Sequence, residues 1–157
     1  MNTQNKILSS ESLATRLHNL ARPLVFTNGC FDILHRGHTT YLEQARNLGE
    51  ALIVGVNSDA SVKGQNKGSD RPINTLQDRL SVLASLECVD AVVSFDEDTP
   101  LNLIMQILPD HLVKGGDWHV NDIVGADIVR QNGGNVHSLA FEFDRSTTSL
   151  INRIRDN

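Results

Sequence analysis

Two histidines lie on either side of a glycine in the segment Asn28–His38, which follows a short apolar run. His35 and His38 are three residues apart, and side chains at this spacing share one face of a helix. At a helix start both imidazoles would point in the same direction as the free backbone N–H groups, which attract anions. Gly37 adds no side chain where a phosphate would approach. The spacing therefore predicts a phosphate site. Two other interpretations remain open, namely ordinary surface or packing histidines and half of a metal site.

A glycine pair and a run of hydroxyl residues could also contribute to phosphate binding. The segment Lys114–Trp118 follows another apolar run and contains two consecutive glycines, which could instead form only a tight turn. Ser146, Thr147 and Thr148 stand at a predicted helix start. Hydroxyl groups there cap the helix, and the same geometry offers donors to a phosphate.

The segment Ser58–Ile73 has no apolar period, which predicts a long loop, and long loops in compact domains are often functional. Lys63, Lys67 and Arg71 give this loop a local positive charge. Such a loop is either a solvated surface segment or one that closes over an anionic ligand. Its place directly after a predicted strand favours closure.

Two other groups of charged or nucleophilic residues are not interpreted as catalytic sites. Cys30, Asp32 and His35 could form a nucleophilic triad, but triads are defined by spatial geometry that proximity in the sequence does not provide. The acidic run Asp96–Asp98 precedes a predicted helix, where negative charge is favourable.

Short apolar runs alternate with helical patterns along the chain. The five runs predicted as strands are Leu24–Thr27, Ala51–Val56, Val89–Phe95, His111–Lys114 and Asn135–Phe141. The predicted helices are an N-terminal one capped by Ser10, His38–Leu48 stopped by Gly49, one capped by Asn74, one starting at Thr99-Pro100, Val120–Gln131, and one starting near Ser146. Strands that alternate with helices predict an α/β fold, Rossmann-like, with a doubly wound five-stranded parallel sheet.

The predicted topology brings the phosphate-binding segments together. Ligands of doubly wound sheets bind beyond the carboxyl ends of the strands, where the strand order reverses. If the five strands run in the order three-two-one-four-five, the first and fourth flank that point. The loops containing His35 and Lys114 would then face each other across one crevice.

Length and charge set limits on the class of protein. The 157 residues fit one domain, which we assign to residues 1–157 with an N-terminal helical extension over 1–22. The net charge of −5 argues against a nucleic-acid partner or an anionic membrane surface. Cys30 and Cys88 are too few for a disulfide framework. No run approaches the ~20 apolar residues of a membrane helix, and no secretory signal is evident, so we expect a cytoplasmic protein.

The segment Gly29–His38 resembles the G-x-F-D-x-x-H-x-G-H signature of the nucleotidyltransferase superfamily, which includes cytidylyltransferases. Within it, the chain is most similar to the heptose 1-phosphate adenylyltransferase family, from about Thr27 to Ile154. This similarity includes the segments Val56–Lys63, Arg71–Asn74, Asp96–Pro100, Leu112–Asp117 and Ser146–Thr148.

The resemblance implies roles for individual residues. His35, His38 and Lys63 would be catalytic, with the two histidines contacting nucleotide phosphates. The nucleotide-binding residues implied are Asn28, Gly29, Cys30, Phe31, Asp32, Gly37, Arg79, Lys114, Gly115, Asp117, Ser146, Thr147 and Thr148. Read without the resemblance, Arg79 could be an exposed residue of an amphipathic helix. No protein-held metal site is implied.

The resemblance also implies a reaction. ATP and D-glycero-β-D-manno-heptose 1-phosphate would give ADP-heptose and pyrophosphate, with Mg²⁺ as cofactor. A separate heptose kinase and a phosphatase would prepare the sugar phosphate, because the 157 residues leave no room for a ribokinase-like half. Relatives of this size are often homodimers, so a homodimer is possible here.

Two alternatives stay open at this point. The first is a glycerol-3-phosphate or phosphoethanolamine cytidylyltransferase, although the segment Phe143–Arg145 departs from the R-T-E-G-I-S-T-T pattern of those enzymes. The second is a catalytically idle nucleotide-binding domain, against which the intact pair of His35 and His38 argues.

Overall fold

A computed structural model describes residues 2–64, 71–143 and 146–156 of the chain. After a 3-10 turn at Thr3–Lys6, the strands are β1 (Ile7–Leu8), β2 (Leu24–Gly29), β3 (Ala51–Asn57), β4 (Ala91–Phe95), β5 (His111–Gly115) and β6 (Asn135–Leu139). The helices are α1 (Ser10–Leu17), α2 (Arg36–Arg46), α3 (Asp59–Gly64), α4 (Leu76–Ala84), α5 (Leu101–Ile107), α6 (Ala126–Gln131) and α7 (Thr147–Arg155). No helix within these ranges is long and apolar enough to cross a membrane.

The strands form one parallel sheet in the order β1-β4-β3-β2-β5-β6. The five predicted strands are confirmed. Their order is the predicted three-two-one-four-five, which places β2 and β5 side by side. The sheet also has a sixth strand that the sequence analysis missed, because β1 pairs only Ile7 with Val92 and Leu8 with Val93. Two residues are too few to show a strand period.

Helices cover both faces of the sheet, and the strands alternate between two hydrophobic clusters. Phe26 of β2 and Ile53 of β3 pack in the cluster beneath α1 and α5. Their neighbours Val25 and Leu52 point into the opposite cluster, beneath α2 and α4. Because the central strands are buried on both faces, they appear in the sequence as continuous apolar runs.

Several helix boundaries differ from their predicted positions. Ser9, not Ser10, caps α1 and exchanges hydrogen bonds with Ser12 in a capping box. Thr75 caps α4 in place of Asn74, whose side chain instead donates to the backbone carbonyl of Asp32 at 2.6 Å. The third difference is at α5, whose N-cap residue is Pro100 and not the predicted Thr99. Each predicted cap stands one residue from the real one. At α1 and α4 the neighbouring residue is also polar and can cap equally well, whereas Pro100 makes no side-chain cap hydrogen bond.

Two segments differ in kind from the prediction. The first part of the predicted loop Ser58–Ile73 is the short helix α3. Conversely, α6 begins only at Ala126, because Gly125 adopts a left-handed φ of +83° that interrupts the predicted helix Val120–Gln131.

Gly49 matters for packing more than for ending a helix. Helix α2 ends at Arg46, and Gly49 has no left-handed φ. A Cβ at this position would instead overlap the backbone carbonyl of Pro23 and approach Val25 Cγ2 to 2.8 Å. The turn between α2 and β3 therefore lies directly against the chain that enters β2.

We expect Gly49→Ala to lower the free energy of unfolding by about 1–3 kcal/mol, because the new methyl group must displace backbone. Thermal and urea denaturation measure this loss. Gly64→Ala serves as the control, since no heavy atom lies within 4 Å of a Cβ there. Equal stability of the two variants would show that the turn at Gly49 relaxes at no cost.

Candidate active site

The histidine pair stands at the start of α2, as its spacing predicts. His35 is the N-cap residue in an extended conformation, and its backbone carbonyl accepts from the N–H groups of His38 (2.9 Å) and Thr39 (3.2 Å). The His35 side chain makes no capping hydrogen bond. The first turn of α2 therefore keeps N–H groups without a side-chain cap, which is the arrangement that binds anions.

The two imidazoles stack on each other at this helix start. Their ring centroids are 3.9 Å apart with an interplanar angle of 23°, and Phe31 meets His38 edge-on at 5.4 Å. Gly37 makes the stack possible, because a Cβ there would lie 3.1 Å from two atoms of the His35 ring. The space left by the missing side chain of Gly37 is thus next to the His35 ring, whereas the sequence-based prediction had placed a phosphate there.

Burial and the neighbouring His35 lower the pKa of His38 to about 4, against a smaller opposing effect of the Ile33 backbone. His38 is therefore neutral near pH 7. A neutral imidazole in a poorly solvated place is still an N–H donor. Bound phosphate would raise its proton affinity by placing negative charge beside it.

The loop between β2 and α2 is fixed by Asp32, which is 3% exposed. Its carboxylate accepts from the Arg71 guanidinium at 2.7 Å and from the backbone N–H groups of Ile73 (3.0 Å) and Asn74 (2.9 Å). Burial alone would raise the pKa of this carboxyl, but those hydrogen bonds and the Arg71 charge outweigh burial and hold the pKa below its ordinary value. Asp32 therefore fastens the loop to the segment before α4.

Arg71 and Asp32 correct two sequence-based hypotheses. Arg71 is 7% exposed and paired with Asp32, so it is not one of the cations of a closing loop. Because its carboxylate is bound to Arg71 and to backbone, Asp32 does not orient a histidine, and the nucleophilic triad with Cys30 and His35 is wrong. The Cys30 thiol instead approaches the side-chain oxygen of Asn57 at 3.8 Å.

Arg79 is the largest fully buried side chain of the described residues, and the alternative of an exposed helix residue is wrong. Its guanidinium donates to the backbone carbonyls of Cys30 (2.6 Å) and Asn57 (2.8 Å) and to the Asp59 carboxylate (2.7 Å). A weaker bond at 3.3 Å reaches the carbonyl of Asn74. The side chain thus joins the ends of β2 and β3 to the starts of α3 and α4.

Two adjoining cavities open over the carboxyl ends of β2 and β5, which are paired from Val25 with His111 to Thr27 with Val113. The larger one, about 210 Å³, is lined by Asn28, Gly29, Cys30, Asn57, Asp98, Thr99, Pro100, Lys114, Trp118, Asp122, Ile123 and Val124. The smaller one, about 160 Å³, is lined by Asn28, Gly29, Cys30, Phe31, His38, Tyr41, Lys114, Gly115 and Phe141. Four residues are common to both linings, so the cavities share one floor.

The shared floor is polar and well supported. Lys114 Nζ lies 3.4 Å from the Asn28 side-chain oxygen. Beneath it the Tyr41 hydroxyl contacts Thr27 Oγ1 at 2.5 Å and the Val113 carbonyl at 3.4 Å. Burial raises the pKa of Tyr41, which keeps the phenol protonated. Gly115 is required for close approach, because a Cβ would lie 2.8 Å from the Phe141 ring.

The other predicted site residues, Lys63, Asp117 and Ser146–Thr148, are not among the lining residues of either cavity. Lys63 is exposed on α3, and Asp117 is exposed after β5. Ser146 caps α7 by accepting from the Ser149 N–H at 3.1 Å, as predicted, and Thr147 donates to the Ile33 carbonyl at 3.2 Å. Thr148 is exposed on the same helix turn. Lys67 and Arg145 lie outside the described residues.

Sequence reasoning missed eight of the twelve residues that line the larger cavity: Asn57, Asp98, Thr99, Pro100, Trp118, Asp122, Ile123 and Val124. Asn57 could have been found, because it directly follows the predicted strand Ala51–Val56. Asp98 had been interpreted only as favourable charge at a helix start. Within the described ranges no three His, Cys, Asp or Glu side chains converge to hold a metal ion.

The low pKa of His38 predicts a specific loss of stability in acid. A histidine with a folded pKa near 4 and an unfolded value near 6.5 stabilises the fold fully above pH 6.5. That contribution disappears as the pH falls toward 4. We therefore expect the fall in Tm between pH 7 and pH 4.5 to be smaller in His38→Gln than in the wild type. The exposed His119→Gln is the control and should follow the wild type.

For Arg79→Met we expect a loss of about 1–3 kcal/mol in the free energy of unfolding, because a buried carbonyl loses its donor. Urea denaturation measures this change. Arg22→Met is the matched control, since its ion pair with Asp110 is 51% and 38% exposed and lies before β2. Exposed pairs are worth less than about 1 kcal/mol. An Arg79→Met variant as stable as the Arg22→Met variant would contradict the tethering role.

Comparison with known proteins gives a consistent result. A family model described as cytidylyltransferase-like matches residues 26–152. The chain is 53% identical over 97% of its length to a D-β-D-heptose 1-phosphate adenylyltransferase of Bordetella bronchiseptica, of which it covers 95%. It is 57% identical over 88% of its length to a bifunctional protein HldE of Azotobacter vinelandii, of which it covers 29%.

Solved structures agree with the fold. A lipopolysaccharide core biosynthesis protein from Thermoplasma volcanium matches 77% of this chain and 98% of its own, with a TM-score of 0.62 at 27% identity. A pantoate-β-alanine ligase from Francisella tularensis matches 90% of this chain and 68% of its own, with a TM-score of 0.61 at 14% identity, which supports the fold alone. With most of its length matched by the family model and by a 53% identical relative, the chain belongs to the cytidylyltransferase-like family.

Proposed function

We propose that this protein transfers AMP from ATP to D-glycero-β-D-manno-heptose 1-phosphate, which yields ADP-heptose and pyrophosphate for lipopolysaccharide core synthesis. The observation that carries the proposal is the 53% identity to the Bordetella adenylyltransferase, which spans almost the full length of both chains. The stacked histidines at the start of α2 supply the chemistry that the reaction needs.

The reaction is an in-line displacement at the α-phosphorus. An oxygen of the sugar phosphate forms the new bond to that phosphorus as the bond to the β-phosphate oxygen breaks. Pyrophosphate leaves with the electron pair. The attacking oxygen is already ionised near neutral pH, so no general base is needed. Catalysis then consists of positioning the two substrates and stabilising the charge on the phosphates.

The site offers three sources of that stabilisation. His35 and His38 place ring N–H donors at the start of α2, whose free backbone N–H groups add to them. Lys114 stands between the two cavities, where the phosphates of donor and acceptor would meet. Lys63, exposed on α3, and the hydroxyls of Ser146–Thr148 would also reach the phosphates.

The backbone at the end of β2 and directly after it would contact the nucleotide, since Asn28, Gly29 and Cys30 line both cavities. Asp117 would contribute from the loop after β5. We assign a different role to Asp32 and Arg79: both are buried and bound to protein groups, so they position the loop. Phe31 belongs to the same frame, because its φ of +48° turns the chain beneath His38.

Mg²⁺ fits this site as part of MgATP. The described residues offer no cluster of three ligands that would hold a resident ion, whereas Mg²⁺ with nucleotides is held largely by phosphate oxygens and water. The ion would neutralise charge on the phosphates. The chain's own part is to bind that complex through N–H donors and Lys114.

The wider assignment follows from the proposed reaction. Residues 1–157 would form one nucleotidyltransferase domain that works in the cytoplasm, where ATP is available, and a homodimer is a possible assembly. The relative from Azotobacter is named bifunctional, and the chain spans 29% of its length. A separate heptose kinase and a phosphatase would then supply the acceptor.

A cytidylyltransferase acting on glycerol 3-phosphate or phosphoethanolamine is the second candidate, which the family description favours. An idle nucleotide-binding domain is the third. Adenine and cytosine present different donors and acceptors, so a pocket shaped for one leaves polar groups unpaired with the other. Base preference therefore separates the first two candidates, and turnover excludes the third.

With MgATP and the heptose 1-phosphate we expect steady release of pyrophosphate, and a kcat/KM for ATP at least about tenfold above that for CTP. A coupled pyrophosphate assay measures both. His38→Ala should lower kcat by about 10²–10³-fold through the loss of a donor to the phosphates. Preference for CTP would support the cytidylyltransferase, and no turnover with any acceptor would support the idle domain.

A further inference from the structure

The two cavities over the sheet differ in chemistry. The larger one has two carboxylates in its lining, Asp98 and Asp122, together with the Trp118 ring. The smaller one has His38 and aromatic rings, with no carboxylate among its lining residues. Asp98 and Asp122 are exposed at this lining. Because like charges repel, they disfavour a triphosphate more than the single phosphate of a sugar phosphate. The cavities are therefore suited to different parts of the substrates.

Trp118 is held in place by its backbone while its ring stays open to solvent. The Trp118 N–H contacts the Ser138 hydroxyl at 3.1 Å and the Gly116 carbonyl at 3.0 Å, and Ser138 donates to that carbonyl at 2.7 Å. Gly116 adopts a φ of +105°, which allows this turn. The ring nevertheless remains 50% exposed. A large apolar ring on a fixed loop at a cavity wall is a preformed binding surface.

The groups around this ring match a polyhydroxylated ligand. The C–H face of a sugar ring is apolar and packs on an aromatic face, whereas its hydroxyls donate to carboxylates. Asp98 and Asp122 supply the carboxylates in this cavity. Lys114, which lines both cavities, stands where a phosphate on that sugar would meet the nucleotide.

We propose that Trp118 is a specificity-determining residue that binds the ring of the acceptor sugar, with Asp98 and Asp122 accepting its hydroxyl groups. This inference rests on the proposed sugar-phosphate reaction. It assigns the larger cavity to the acceptor and the smaller one, with Phe141 as its exposed aromatic wall, to the nucleoside. A cationic acceptor such as phosphoethanolamine would also suit an aromatic ring beside carboxylates, so the test includes it.

The first experiment uses matched aromatic substitutions in the two cavities. Trp118→Leu should raise the KM for heptose 1-phosphate about three- to tenfold, the loss of one stacking contact, and leave the KM for ATP unchanged within about twofold. Phe141→Leu should do the reverse. Trp118→Phe should restore most of the acceptor affinity, because it keeps an aromatic face. Circular dichroism of each variant checks the fold.

The second experiment exploits the fact that the chain has one tryptophan. Its fluorescence therefore reports on Trp118 alone. Titration with heptose 1-phosphate should change the emission saturably, with a Kd raised by Asp122→Asn. Phe141→Leu should leave this Kd unchanged, and ATP alone should change the emission much less.

The outcomes separate the inference from the proposed function. An emission change with a sugar 1-phosphate but no turnover would support the platform and reject the reaction. Turnover with ADP-heptose formation, an unchanged acceptor KM in Trp118→Leu and no emission change would overturn the platform alone. A larger effect of Trp118→Leu on ATP than on the sugar would also overturn it, as would tighter binding of phosphoethanolamine than of the sugar phosphate.

Discussion

The buried guanidinium of Arg79 holds together the part of the molecule on which the site depends. It hydrogen-bonds the backbone ends of β2 and β3 and the carboxylate of Asp59, with a side chain that is fully inaccessible. Burying a charge is costly unless it is paired and hydrogen-bonded. Arginine suits this place because its planar group carries several donors in fixed directions. Arg79 therefore ties the backbone of Cys30 to that of Asn57, just beyond the last paired residues of β2 and β3.

A second buried pair extends the same frame. Asp32 and Arg71 connect the loop after β2 with the chain that enters α4. In the sequence, that chain follows the segment that contains Lys63. Both pairs lie beneath the loop that leads to His35. The signature residues Phe31 and Asp32 therefore serve the geometry of the helix start, where the proposed function has the two histidines contact the ligand.

The start of α2 offers hydrogen-bond donors to an anion although the protein as a whole is acidic. The net charge is −5, and the pKa of His38 near 4 makes that histidine neutral at physiological pH. In the proposed reaction, the attraction for phosphate would come from the start of α2, from ring N–H donors and from Lys114. Donors of this kind are most effective where water is scarce. His38 is in such a place, because its burial lowers its pKa.

The sequence by itself determined the alternation of strands and helices, the five main strands and the place of the histidines at a helix start. It could do so because central parallel strands are apolar on both faces and because the signature segment is specific. It did not reveal β1, whose two residues carry no period, or the true caps of α1 and α4, where adjacent polar residues are equivalent. It also predicted that Arg71 is a cation of an exposed loop, and it left the burial of Arg79 undecided.

Only the tertiary structure decided which charged side chains are buried, since Arg79 meets carbonyls that lie 22 and 49 residues away in the chain. It also placed Asp98, Trp118 and Asp122 around one cavity, because segments from different strand ends become neighbours only when the sheet is assembled.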